Sequence, residues 1–129
     1  MRHFSFTTLL FATLLVAGCA NIPLKSPGEA ALSEGISNYE EAKYPEAEKH
    51  IQTALELRLE SKSSQVKAYK YLAFIHCASS REKLCRSDFK KALELDPHFD
   101  LEAAEAGHPL WGPVFRSVKA EMAAAARKK

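Results

Sequence analysis

The chain has 129 residues, 47% of them hydrophobic and 26% charged, with 18 lysines and arginines against 16 acidic residues and a formal net charge of +2. That length supports one domain with a modest core and no more. A balance so close to neutral argues against a nucleic-acid partner and against a strongly basic membrane patch.

The chain opens with Met1-Arg2-His3, weakly positive, and Phe4 to Ala17 is a run of fourteen residues without a charge. The run suits the apolar core of a signal peptide and falls short of the roughly 20 residues that a spanning helix needs. It ends in Val16-Ala17-Gly18-Cys19, which resembles the lipobox of bacterial lipoproteins. The resemblance implies that Cys19 receives a diacylglyceryl thioether and that residues 1–18 are removed. Small Ala17 and Gly18 let a protease close on the backbone, and a thiol is the nucleophile that such lipidation requires. The plainer alternative is a secreted protein cut near Ala17 or Ala20, with Cys19 incidental. Ala20, where an aspartate would argue for inner-membrane retention, implies by the same resemblance the periplasmic face of the outer membrane. Removing 18 residues from 129 leaves 111, with 17 basic and 16 acidic side chains. Residues 19–28, with two prolines, read as a short tether.

From Ala30 onward the apolar residues follow helical spacing, and no segment alternates as a strand would. The sequence predicts an all-α fold with helices near 29–42, 45–59, 65–78 and 82–95, then a short turn of helix over 100–107 and a last helix over 113–127. The chain repeats itself: Gly35, Ala47, Ile51 and Ala54 recur 38 residues later as Ala73, Cys85, Phe89 and Ala92. The pattern resembles the tetratricopeptide (TPR) repeat, a helix–turn–helix unit of about 34 residues. Two such hairpins, about 29–60 and 65–96, are expected to form a right-handed helical repeat, with Ser61-Lys62-Ser63-Ser64 as a longer connection. Small residues at 35, 47, 54, 73, 85 and 92 allow close helix approach, while Ile51 and Phe89 fill the space between. Pro45 suits a first helical turn, Ser79-x-x-Glu82 reads as a capping box, Asp100 as an N-cap, and Pro97 stops the helix before it. Two repeats leave apolar faces uncovered, so residues 97–129 are expected to supply a cap through Val114, Phe115, Val118 and Met122.

Cys77 and Cys85 fall late in one helix and early in the next, nearly opposite each other in an antiparallel pair. In an oxidising compartment they are expected to form a structural disulfide; the alternative is two small packed thiols. No Cys-x-x-Cys or paired-histidine spacing supports a metal site. His76 stands where a repeat usually places an aromatic, and His108 before Pro109 could cap the last helix. Glu40-Glu41 and Glu46-x-Glu48 read as solvated faces. No phosphate loop and no nucleophile–base pair argues for an enzyme, a cofactor or a small-molecule substrate.

What remains is the groove formed by the first helix of each repeat. Its inner positions are Glu29, Leu32, Ile36, Tyr39 and Glu40, then Lys67, Lys70, Phe74 and Cys77. Apolar groups flanked by charge suit an extended peptide or a partner helix; alternatively, the C-terminal segment folds back and fills the groove itself.

The run Lys70 to Cys77, with Cys85-Arg86, Phe89, Asp96-Pro97 and the ending Gly107-His108-Pro109-Leu110-Trp111-Gly112-Pro113-Val114-Phe115, is similar to the TssQ-like lipoproteins that accompany type VI secretion systems. The resemblance spans about residues 30–120, and its most specific part is the segment holding His108, Pro109, Trp111 and Phe115. It implies a non-catalytic accessory that binds envelope proteins of a secretion machine. A general envelope scaffold, for outer-membrane assembly or for tethering a cell-wall enzyme, is the competing expectation.

Overall fold

The computed structural model describes residues 24–128; the expected signal segment and the first half of the tether, residues 19–23 with Cys19, lie outside the described residues. Proline at a helix start or a polar cap explains where every helix but the fourth begins. The helix α1 (Pro27–Glu40) starts two residues before the expected Glu29, because the Ser26 hydroxyl accepts the backbone N–H of Glu29 at 3.3 Å and Pro27 occupies the first turn. Such a cap satisfies one of the free amides at a helix start. In α2 (Tyr44–Glu56), Pro45 takes the same first-turn place.

The next boundary departs from expectation. Ser61 is the N-cap of α3 (Lys62–Ala78), and its hydroxyl accepts the Ser64 N–H at 2.9 Å. Ser61 to Ser64 is therefore not a connection between hairpins but the cap and first turn of α3. Ser79 likewise closes α3 and caps nothing in α4 (Glu82–Leu95), whose N-cap Arg81 makes no side-chain cap bond. Asp100 is not a cap either. The short α5 (Ala103–Ala106) begins with a capping box between Glu102 and Glu105, and Asp100 instead meets Lys119 at 2.9 Å. The last helix, α6 (Gly112–Ala126), begins one residue before expectation.

Three helices end by one device. Ala42, Arg58 and Ser80 have φ of 59°, 63° and 58°. After α1 and α3 the hydrogen bonds match: Ala42 N–H to Tyr39 C=O and Lys43 N–H to Asn38 C=O, then Ser80 N–H to Cys77 C=O and Arg81 N–H to His76 C=O. This is the left-handed closing turn of a helix, usually given to glycine because a Cβ costs about 1 kcal/mol or more there. Ala42 and Ser80 stand 38 residues apart, so the turn repeats along with the helices.

The packing follows the sequence register. Ala47, Ile51, Ala54, Ala73, Cys85, Phe89 and Ala92 have no exposed surface. Gly35 is needed for close approach, since a Cβ there would stand 2.5 Å from Ile51 Cγ1 and 3.1 Å from the Ile51 nitrogen. α1 pairs with α2 and α3 with α4 as two hairpins, α2 packs on α3, and α6 packs on α4. One apolar cluster joins α1, α2 and α3 through Leu32, Ile51, Leu59, Leu72 and Ile75. A second joins α3, α4 and the C-terminal segment through Phe74, Phe89, Leu93, Leu101, Trp111, Phe115 and Val118. The protein is thus an all-α helical repeat of two hairpins with a C-terminal helix closing the open end, as the need to cover an exposed repeat face requires.

Candidate functional site: a filled groove and a buried charge network

The groove between α1 and α3 is occupied by the chain's own C-terminal segment. Phe74 is 2% exposed because the Trp111 indole stacks on it, with ring centroids 4.4 Å apart at 24°. The indole N–H donates to the Glu105 carbonyl at 3.0 Å, and the Glu105 carboxylate takes the Lys70 ammonium at 2.6 Å. Of the two expectations for the groove, the self-filled one holds at its centre. Leu32 is buried against α2, while Ile36 and Tyr39 are half-buried and only Lys67 stands exposed. The six candidate residues therefore do not line one open trough.

The Gly-His-Pro-Leu-Trp-Gly segment makes this possible. His108 stacks on Trp111 with centroids 3.4 Å apart, and its Nδ1 accepts the Leu110 N–H at 3.2 Å. It shapes the turn before α6 and does not cap that helix, whose N-cap is Trp111. Pro109 is exposed in that turn. At Gly112 a Cβ would collide with the Ala106 carbonyl, so only glycine lets α6 start this close to α5. Phe115 packs edge-on against Phe89 at 5.1 Å and Phe99 at 5.5 Å.

Beside this plug an aromatic row continues toward the first hairpin. Tyr39 lies 5.1 Å from Tyr71, edge to face, and 5.7 Å from Tyr44. Burial, then neighbouring Tyr44 and Tyr71 and the Glu105 charge, push the Tyr39 phenol up to about 12. Burial followed by Glu105, Glu40 and Glu102 raises Tyr71 as well. Both hydroxyls stay neutral donors at any physiological pH.

A second constellation is polar and was not expected. His76, 4% exposed, sits between two carboxylates: Nδ1 is 2.6 Å from Asp88 Oδ2 and Nε2 is 3.0 Å from Glu48 Oε1. Arg81 then grips Glu48 with two N–H donors, at 3.0 and 2.6 Å. The network ties α2, α3, the α3–α4 turn and α4 together. Arg81 first, with a smaller contribution from His76, outweighs burial and lowers the Glu48 carboxyl to about 2. Burial outweighs the His76 contact at Asp88 and raises its carboxyl. Glu48 thus corrects the reading of Glu46-x-Glu48 as a solvated pair: Glu46 is exposed and Glu48 is not. The signal lay in the hairpin itself. An antiparallel pair that sets Cys77 against Cys85 also sets His76 against Asp88, one step further from the turn. His76 is packed, as expected, but by hydrogen bonds to two carboxylates as much as by shape. Among the described residues no group of three His, Cys, Asp or Glu side chains is arranged to hold a metal ion.

Cys77 and Cys85 lie at disulfide distance, with S–S 2.02 Å and Cα–Cα 5.2 Å. Cys85 is fully buried and Cys77 partly. Closing a loop this short stabilises by about 2–3 kcal/mol on loop entropy. The Cys77→Ser, Cys85→Ser double variant is therefore expected to unfold at lower urea by that amount, as read by circular dichroism. Peptide mapping of the oxidised protein should recover the linked pair, and free thiols at both positions would overturn it.

The architecture and these two sites define a helical-repeat protein whose inner face is packed by its own C-terminus. Comparison with models of known protein families, with curated proteins and with solved structures finds no match. Among the described residues no helix is long and apolar enough to cross a membrane.

Proposed function

We propose that this protein is a lipoprotein held by acyl chains on Cys19 at the periplasmic face of the outer membrane, where its repeat domain acts as a non-catalytic adaptor for envelope proteins of a type VI secretion system. The observation that carries the reading is the join between two features. Val16-Ala17-Gly18-Cys19 stands only seven residues before Ser26, the cap of the first helix of a repeat domain. Repeat architectures present extended surfaces to other proteins, and a lipid-bearing cysteine fixes where such a surface works. The partners are proteins; the membrane is engaged through the lipid, and no nucleic acid or small-molecule substrate is involved.

With the groove centre filled, a partner meets its rim: Ile36, Tyr39 and Tyr71, half-buried, and exposed Lys67. Aromatic residues with one polar end suit such a surface. Cys19→Ser is expected to abolish acylation and to move the protein from the membrane to the soluble fraction; unchanged fractionation would contradict the anchor. In-cell crosslinking from positions 39 and 67 tests the adaptor role. Secretion-system proteins in the adducts support it, whereas outer-membrane assembly proteins or cell-wall enzymes would favour a general envelope scaffold.

A further inference from the structure

The place where the chain leaves the domain limits how the domain can sit on a membrane. On the lipid-anchor reading above, on which this inference rests, Cys19 precedes Leu24 by five residues and the linker reaches at most about 18 Å. Helices α1 and α3 have 14 and 17 residues, which makes them about 21 and 25 Å long. The tether is shorter than the helices it holds. The end of the domain from which the chain departs therefore stays close to the headgroups, while the α3–α4 turn stands at the far end of the hairpins.

The near end is built from the start of α1, the connection after α2 and the first turn of α3. Its parts are in contact: a Cβ on Gly28 would lie 2.9 Å from the Arg58 carbonyl oxygen, and Gln65 donates to the Leu59 carbonyl at 2.9 Å. Among the described residues four large apolar side chains stand exposed, Leu24 (97%), Leu57 (51%), Leu84 (46%) and Leu110 (50%). Two of them, Leu24 and Leu57, are on this end. Arg58, next to Leu57 in the chain, and Lys62, at the start of α3, are exposed on this end and make no ion pair among the described residues. Lys25 is exposed too, but its ammonium turns along α1 to the Ser33 hydroxyl, at 3.3 Å, away from this end. Exposed leucines next to unpaired cations are the composition of a surface that lies in the headgroup region.

We propose that this face rests on the phospholipid surface, with Leu24 and Leu57 in the interface and Arg58 and Lys62 against anionic headgroups. Glu56 and Glu60 neighbour Arg58 in the chain, Glu94 shares a surface depression with Arg58 and Asp96 one with Lys62, so the local charge is near neutral, and each cation favours such a surface by only about five-fold. That is too little to hold a free protein on a membrane. It is enough to orient one already anchored, because the tether makes the contact intramolecular. The consequence is that the α3–α4 turn and the aromatic rim are held away from the lipid.

The test uses the full-length, processed protein in cells, with a photoreactive benzophenone amino acid at position 57 or at position 84. Mass spectrometry then reads both the crosslinked species and the lipid on Cys19. Phospholipid adducts at 57 in excess over 84 are expected. Arg58→Glu with Lys62→Glu should lower the adducts at 57 by roughly five-fold or more. Equal lipid adducts at both positions, or protein adducts at 57, on a chain with acylated Cys19 would overturn the orientation and leave the anchor standing. A Cys19 without lipid would overturn the anchor and this inference together.

Discussion

Trp111→Ala is expected to cost the fold about 3–5 kcal/mol, the usual penalty for removing a large aromatic from a core. Trp111 is 8% exposed, covers Phe74 on one face and stacks with His108 on the other. Its removal opens the space between α3, α5 and α6 and leaves the Glu105 carbonyl without its indole donor. Trp111→Phe keeps the stack and forfeits that hydrogen bond, for a loss of about 1 kcal/mol. Because this is the only tryptophan in the chain, unfolding in urea should be followed by circular dichroism. Binding of a hydrophobic dye should rise in Trp111→Ala as Phe74 becomes accessible. A loss below about 1 kcal/mol for the alanine variant would mean that the segment is not part of the core.

The second large effect lies in the charge network. Asp88→Ala leaves a buried His76 ring nitrogen without its hydrogen-bond partner, and an unsatisfied buried polar group costs about 1–3 kcal/mol. Glu48→Gln should cost less, because Glu48 is partly open to solvent and the amide keeps one acceptor for Arg81. The network also gives stability a pH dependence whose sign follows from the shifts. The Glu48 carboxyl is held at about 2 when folded, below its ordinary 4.5. A depressed acid contributes stability that is complete above about 4.5 and is lost as pH falls through about 2, an effect of about 2 kcal/mol after allowing for solvent around Arg81. Asp88 works the other way: its carboxyl is raised by burial, so its contribution is greatest at low pH and fades as pH rises through its folded value. Denaturant midpoints measured between pH 2 and 6 should fall toward acid, and Glu48→Gln should flatten that fall. An unchanged slope in the variant would remove Glu48 from the account.

These two sites differ in how far the sequence foretold them. The Trp111 segment stands out as a dense run of proline, glycine and aromatic residues, which can either leave the groove open or fold back into it. What chose between them was the shape at Gly112 and Phe74, where a glycine lets α6 start against α5 and the indole fits flat on the ring. In the charge network the His76–Asp88 contact follows from the hairpin that pairs Cys77 with Cys85, but Glu48 gave no such signal. A glutamate one position from a buried alanine looks like any solvated residue until the turn after α3 brings Arg81 within reach. Cap geometry was also hard to read. Ser79, Asp100 and Ser61 each carry a side chain that can cap a helix, and only the competition among overlapping turns decided that Ser61 does.

The sequence by itself determined the repeat. Small residues at 35, 47, 54, 73, 85 and 92 and large ones at 51 and 89 fix which faces meet, because helix packing tolerates only small side chains at points of closest approach. It also placed Cys77 opposite Cys85, since a tight antiparallel turn sets their distance locally, and left open whether the two thiols are joined. Tertiary structure alone decided that the groove is filled at its centre, that Glu48 reaches His76 and Arg81, and that Leu24 and Leu57 share one end of the domain with the start of α3. Each of these joins residues from elements far apart in the chain, where spacing along the sequence carries no information about distance.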